Sequence, residues 1–366
     1  MQKINQSFKS FLKNTTLLQS SSLVKQEQNS SFFYFNVFSV PSDSANLLKQ
    51  IKSDHLKKTV YSASKDVLKL TLPKSVTFIP QPLADKSIGV EIWDSDFEFK
   101  ILSEHICVCN SFFGKWAFIY GISAPQEIRF QDQVRYVLEK TELLLKDAGF
   151  RFQDLIRTWF YIGDILKKEN SAVRYDLFNK IRNKFYEKIW NTELYPASTG
   201  IGMKEKGIIM EGIALKPYSN TKVIRIENPL QKSAFKYEIP KERRPKFCRA
   251  IFVGEKNKGI IFVSGTASIR GEEVCFADDV EKQTHVTIEN IEALIKRDNL
   301  QRYGIDWNVS SADIDFVKVY IKKEQHYPLV RKVCQQYFGD IPALYLVADI
   351  CRPELLVEIE AILIKS

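Results

Sequence analysis

The sequence predicts an α+β fold built around a duplicated unit, and three observations carry that expectation. The order strand, helix, strand, helix, Pro-Ala turn, strand occurs twice, first from Trp116 and again from Gly259, at a spacing of about 150 residues, too long for a solenoid repeat. Each helical segment keeps an apolar stripe at the 3.6-residue period, so each needs a sheet to cover. With 45% hydrophobic residues, 12% aromatic residues and only 15 glycines in 366 positions, the chain is globular and long enough for more than one unit.

Residues 1–30, rich in Ser, Asn, Gln and Lys, read as a poorly ordered arm. Structure is expected to begin at SFFYFNVFSV, a run of aromatic and β-branched residues typical of a strand. GVEIW from Gly89 and the stretch from Cys107 to Tyr120 supply further strands. The first pass runs through strand WAFIYGISAP, helix FQDQVRYVLEKTELLLKDAG, strand DLIRTWFYI, helix RYDLFNKIRNKFYEKI, the turn segment YPASTGIGM and strand GIIMEGIAL. The second runs through strand GIIFVSGTASI, helix DDVEKQTHVTIENIEALIKRD, strand DIDFVKVYI, helix YPLVRKVCQQYF, the turn segment IPALYLVADI and strand ELLVEIEAIL.

The helical stripes are Val134, Val137, Leu138, Leu144 and Leu145 in the first pass, and Val286, Ile288, Ile291, Leu294 and Ile295 in the second. Two helices on one face of a mixed sheet satisfy both stripes in each unit. The expected organisation is an arm at 1–30, a partial N-terminal α/β unit at 31–115, and two full units at 116–220 and 221–366. The repeat aligns Pro196-Ala197 with Pro342-Ala343, and Glu211 in GIIMEGIAL with Glu358 in ELLVEIEAIL.

Composition excludes several classes of function. The net charge of +9 is spread over scattered lysines, with no basic stripe or reader motif, which argues against nucleic acid. Six cysteines without framework spacing predict reduced thiols in a cytoplasmic protein, and the CxC of HICVC has no second half. Four dispersed histidines and no HExxH predict no metal site. No uninterrupted apolar run reaches 18 residues and the N-terminus carries no signal-peptide core, so no membrane association is expected.

One strand carries unusual chemistry. In CRPELLVEIEAILI, Glu358 and Glu360 lie two residues apart and share a face, while Leu355, Val357, Ile359 and Ala361 take the other. A carboxyl group in a mostly apolar pocket keeps its proton near neutral pH and can act as a general acid. The residues alone leave a second reading open, in which Glu358 pairs with a lysine or arginine at a strand edge. Arg182 and Tyr175 sit seven residues apart, on nearly one face of their helix.

The element order ending in LVEIEA resembles the RidA/YjgF family, small trimeric α+β proteins with ligand pockets between subunits. A chain with two such units is more specifically similar to the chorismatases, which cleave chorismate to pyruvate and a cyclohexadiene or benzoate acid. RTWFYIGDI, YPASTGIG, NPLQKSAFKY, FCRA, VSGTASI and ADICRPELLVEIEA, together with GVEIW, carry the resemblance over residues 89–364. RidA deaminases place an arginine after the Pro-Ala turn; here the matching positions are Ser198 and Leu344, without the bidentate anion clamp such a deaminase needs.

The resemblance implies two tandem RidA-like (chorismate-mutase-like) units plus the partial N-terminal unit, arranged as a pseudo-trimer within a monomer. It implies a dianionic small-molecule substrate, chorismate, and no cofactor. Glu358 becomes the general acid; Arg182 and Tyr175 bind the carboxylates; Arg157 and Tyr237 are further substrate contacts. Gly265 in VSGTASI lets a ligand approach backbone N–H groups, and Cys351, seven residues before Glu358, marks with Gly265 the subgroup that forms 3-hydroxybenzoate. The bland alternatives are an edge charge for Arg157, core positions for Tyr237 and Cys351, and a bulge at Gly265. Two other functions remain: hydrolysis to a dihydroxycyclohexadiene carboxylate, or a non-catalytic RidA-like sensor of an anionic metabolite.

Overall fold

Three mixed sheets organise the chain, and each keeps one parallel pair of strands at or next to its edge. The structure is a computed structural model that describes residues 34–40, 57–63, 76–95, 97–169, 172–190 and 192–365; the arm expected at 1–30 lies outside the described residues. The first sheet contains β1 (Tyr34–Val40), β2 (Lys57–Tyr61), β3 (Thr77–Ile79) and β4 (Ile88–Asp94) in the order β1-β4-β2-β3.

The second sheet starts with β5 (Phe99–Ser103), β6 (Ile106–Ser111) and β7 (Gly114–Ser123). Helix α1 (Phe130–Asp147) leads to β8 (Leu155–Gly163). A short ladder, β9 (Lys168–Glu169) with β10 (Ala172–Val173), then feeds α2 (Arg174–Ile189), β11 (Ala197–Met203) and β12 (Ile208–Pro217). The order is β11-β8-β12-β7-β6-β5, with only β11 and β8 parallel.

The third sheet repeats this order as β19-β18-β20-β15-β14-β13. Its strands are β13 (Lys222–Ile226), β14 (Ala250–Gly254) and β15 (Gly259–Ala267), then, past the ladder β16 (Ile269–Arg270) with β17 (Glu273–Val274), β18 (Phe316–Ile321), β19 (Ala343–Val347) and β20 (Val357–Lys365). Helices α3 (Val280–Ile295) and α4 (Arg297–Gln301) connect β17 to β18, and α5 (Tyr327–Phe338) connects β18 to β19. The Pro-Ala segments expected as turns are therefore strands. A crossover helix brings the chain back parallel to the strand it left, and pairing begins immediately after each proline.

The apolar stripes lie where the periodicity puts them. Val134, Val137, Leu138 and Leu145 of α1 are buried against the second sheet, with Leu144 half-buried beside them. Val286, Ile288, Ile291, Leu294 and Ile295 of α3 are buried in the third unit. The opposite faces of all three sheets meet in one central core. Trp93 ties them together, edge-on to Phe118 at 6.2 Å and Trp159 at 6.1 Å, and stacked on Phe262 at 6.5 Å. Each large ring buried this way is worth about 1.5–3 kcal/mol, so the centre is a stability core rather than a channel.

Strand register corrects one alignment read from the sequence. Tyr161 faces Ile209 across β8 and β12, whereas Tyr320 faces Glu358 across β18 and β20. Trp159 faces Glu211, Lys318 faces Glu360 and Thr59 faces Glu91. Glu211 thus corresponds to Glu360 and Glu91, and the counterpart of Glu358 is Ile209. The repeat has one acid in its first copy and two in its second, two residues apart, and only hydrogen-bonded register decides which one is shared. An acid at the Glu360 position belongs to the repeated architecture; the acid at 358 is an addition.

Candidate active site

Strand β20 delivers Glu358 and Glu360 to the same face, and both are buried. Their surroundings differ completely. Glu360 Oε1 accepts from Trp159 Nε1 at 2.8 Å and pairs with Lys318 Nζ at 3.0 Å. Its Oε2 accepts from Thr199 Oγ1 at 2.6 Å, Arg157 Nη2 at 2.9 Å and Tyr320 OH at 3.3 Å. Burial opposes ionisation of Glu360, but Lys318, Arg157 and the donated hydrogen bonds outweigh it and hold the carboxyl below its usual range. Lys318 also reaches Glu91 at 3.3 Å, itself bonded to Tyr61 OH and Trp93 Nε1, each at 2.6 Å.

Glu358 makes no hydrogen bond or ion pair with the described residues. Burial raises its pKa first, repulsion from Glu360 adds to this, and Arg157 and Arg249 pull it back only partly, leaving it at about 8. The strand therefore holds one ionised and one protonated carboxyl side by side at neutral pH. The space for the protonated one comes from Gly265: a Cβ there would lie 2.0 Å from Glu358 Oε1 and 3.2 Å from Thr199 Cγ2. Sequence reasoning expected Gly265 to open its N–H to a ligand. Instead that N–H donates to Thr199 Oγ1 at 3.1 Å, and the missing side chain makes room for the acid.

Around Glu358 stand groups from four segments. Tyr175, at the start of α2, is the common neighbour: its hydroxyl lies within electrostatic reach of Cys351, Arg182, Glu358 and Tyr237, and burial raises its pKa, so it stays a neutral donor. The absence of a side chain at Gly200 of β11 leaves ordinary van der Waals space to the Tyr175 ring, 3.4 Å from where a Cβ would be. The Cys351 thiol is pushed up to about 12, by burial and then by Glu358, and is not a nucleophile near neutral pH. The segment leading from it into β20 is pinned by the buried Gln283, which accepts from Leu356 N at 2.8 Å and donates to Glu354 O at 2.8 Å.

Two buried arginines complete the group. Arg182 donates to Asn179 Oδ1 at 2.7 Å and lies 4.8 Å from the Phe178 ring centroid, while its Nε, Asn179 Nδ2 and the Tyr186 hydroxyl have no hydrogen-bond partner among the described residues. Desolvation pulls its pKa down, the expected mark of a cation buried without an anion. Arg249 donates from Nη2 to Tyr237 OH and Lys232 O, both at 2.8 Å, and its Nε likewise has no hydrogen-bond partner among the described residues. Among the described residues neither guanidinium has a carboxylate within ion-pair distance. Arg182 faces no carboxylate, whereas Arg249 lies within electrostatic reach of Glu227, so the site holds one unmatched and one partly matched buried cation near the protonated acid.

The structure thus gathers Glu358, Cys351, Tyr175, Arg182, Tyr237 and Gly265 into one site. Arg157 stands apart from its expected role: it is buried behind Glu358, 4.3 Å from the Trp159 ring centroid, and its Nη2 is engaged by Glu360 and by Thr199 Oγ1 at 2.6 Å. Its charge is already matched, because the repeated acid at 360 sits on the same inner face. Arg249 and Thr199 were not singled out as site residues, although both lie in the FCRA and YPASTGIG stretches. The signal for Arg249 was a cation abutting the all-apolar strand AIFVG, where a charge has to have a purpose.

Comparison with known proteins places the fold and the family. Residues 91–214 match the family described as "Chorismatase FkbO/Hyg5-like, N-terminal", and residues 246–365 match "Endoribonuclease L-PSP". The chain is 32% identical over 282 residues to a 3-hydroxybenzoate synthase from Streptomyces hygroscopicus, covering 74% of this chain and 80% of that protein. It is 30% identical over 249 residues to a chorismatase from the same organism, covering 67% and 71%. The crystal structure of a chorismatase superposes with a TM-score of 0.74 at 25% identity, over 92% of this chain and all of the other. With that identity over most of both chains, and with one fold throughout, the chain belongs to the chorismatase family.

Proposed function

We propose that this protein cleaves chorismate to pyruvate and 3-hydroxybenzoate, with Glu358 as the general acid. The observation that carries the reading is a buried carboxyl group that keeps its proton near neutral pH, with two buried arginines nearby whose Nε groups have no hydrogen-bond partner among the described residues. A substrate with two carboxylates offers one anion to each guanidinium. Arg182 with Tyr175 takes one, and Arg249, holding Tyr237 by its hydroxyl, takes the other. The named relative, a 3-hydroxybenzoate synthase, supports the product assignment.

In this reading Glu358 gives its proton to the enolpyruvyl methylene carbon, and positive charge develops at the adjacent ether carbon. The ring hydroxyl attacks the neighbouring ring carbon, the ring carbon–oxygen bond breaks, and pyruvate leaves with the former ether oxygen as its carbonyl. The proton lost from the hydroxyl returns to the Glu358 carboxylate. The epoxide-like ring opens with a hydrogen shift and rearomatises to the hydroxybenzoate. No water is consumed, so the atoms of chorismate equal those of the two products.

Cys351 and Gly265 favour this outcome physically, because a weakly polar thiol and a glycine offer a water molecule few partners beside the acid. In incubations with chorismate, pyruvate and 3-hydroxybenzoate are expected to appear in equal amounts. Pyruvate with a dihydroxycyclohexadiene acid would make the enzyme hydrolytic, and no pyruvate would make the site a binding pocket. Cys351→Ala, which opens space for water, is expected to raise the share of the dihydroxy acid; an unchanged product ratio would remove Cys351 from the control of outcome. The six free thiols suit a reducing cytoplasm.

A further inference from the structure

We propose that Glu360 is a positioning residue for the acid: its ionised carboxylate, fixed behind the site by Lys318, Arg157, Thr199 and Trp159, holds the proton on Glu358 by charge repulsion. The inference rests on Glu358 being the acid. Its basis is geometric. Residues two apart on β20 share a face, and Glu360 is clamped through both oxygens, so it cannot turn away from its neighbour. Thr199 links the two acids: its hydroxyl donates to Glu360 and accepts from the N–H of Gly265, the residue whose missing Cβ accommodates Glu358.

The groups facing Glu358 leave Glu360 as the anion beside it. From β20 comes Glu360, from β8 Arg157, and from the segment before β14 Arg249. From the segment before β20 comes Cys351, from α2 Tyr175, and across the ladder on β18 Tyr320. The thiol and both phenols are held neutral through the range in which the acid titrates. The two arginines act in the opposite direction, so without Glu360 burial alone would oppose them and the proton would leave at a lower pH. The network at Glu360 therefore has a use beyond cohesion: the shared acid of the repeat tunes the added one.

The test is the pH profile of kcat/KM for pyruvate release from chorismate by the full-length protein. Wild type is expected to be active below the Glu358 pKa and to lose activity above it. In Glu360→Gln this alkaline limb should move down by about one pH unit or more, while activity at pH values below the limb stays within a few-fold of wild type. Glu360→Asp, which keeps the charge, should restore the limb toward wild type. If Glu360→Gln does not fold, Glu360→Gln combined with Lys318→Met removes both partners of the 3.0 Å ion pair and reads the same limb. A limb that stays in place while activity falls equally at every pH would reduce Glu360 to a structural residue and overturn the proposal. Glu358→Gln in the same assay separates the two claims: its continued turnover would overturn the acid assignment instead.

Discussion

Glu358→Gln is expected to lower kcat for pyruvate release by about three orders of magnitude, the middle of the range for loss of a general acid, with little change in KM. The amide matches the carboxyl in shape and Glu358 bonds to no described residue, so the pocket should keep its form. The substitution carries a second signature. The pKa of Glu358 is about 8 in the folded protein against the ordinary carboxyl value of 4.5, so between those values the folded state holds a proton that the unfolded chain releases. Wild-type stability therefore falls as pH rises through this window, by an amount on the order of a few kcal/mol. The amide cannot ionise. Thermal unfolding should show Glu358→Gln near wild type at pH 5 and more stable at pH 9. Equal stability at both values would mean that the carboxyl is not held neutral by burial.

Arg182→Met is expected to raise KM for chorismate roughly 100-fold and to raise Tm at the same time. Loss of one partner of a buried charge pair in the complex costs about 2–5 kcal/mol. In the free protein, however, that partner is absent. Arg182 is a desolvated guanidinium with one hydrogen bond to Asn179 and, among the described residues, no partner for its Nε, so removing it relieves a penalty that its contacts with the Phe160, Phe178 and Tyr186 rings offset only in part. Methionine fills a similar apolar volume beside Phe178. Its counterpart in the repeat, Cys334 of α5, is a buried apolar residue at the same helical position, which shows that the packing there accepts one. Titration calorimetry with an inert dicarboxylate analogue and a melting curve would check both halves. A fall in Tm together with unchanged affinity would make Arg182 a structural residue.

Much of this architecture is legible in the sequence because it rests on local periodicity. The 3.6-residue stripes of α1 and α3 and the apolar runs of β8, β12, β15 and β20 are set by residues close in the chain. What the sequence could not supply is register. Whether Glu211 answers Glu358 or Glu360 depends on which residues of β18 and β20 face each other, a pairing fixed by hydrogen bonds between strands far apart in sequence. The same limit misdirected Arg157, whose partner Glu360 lies 203 residues away. Gly265 was visible as a glycine that matters, but its purpose depends on a carboxylate that only the folded β15–β20 ladder brings to it. The proximity of Arg182 and Tyr175 is legible because one helix carries both.

The most direct measurement of the central claim is the pH dependence of kcat/KM for pyruvate release by the wild-type protein between pH 5 and 10. A buried general acid with a pKa of about 8 predicts a plateau on the acid side and a fall of tenfold per unit above that value. A rate that rises with pH through the same range would mean that the working form of Glu358 is the carboxylate, and would contradict proton delivery from this residue.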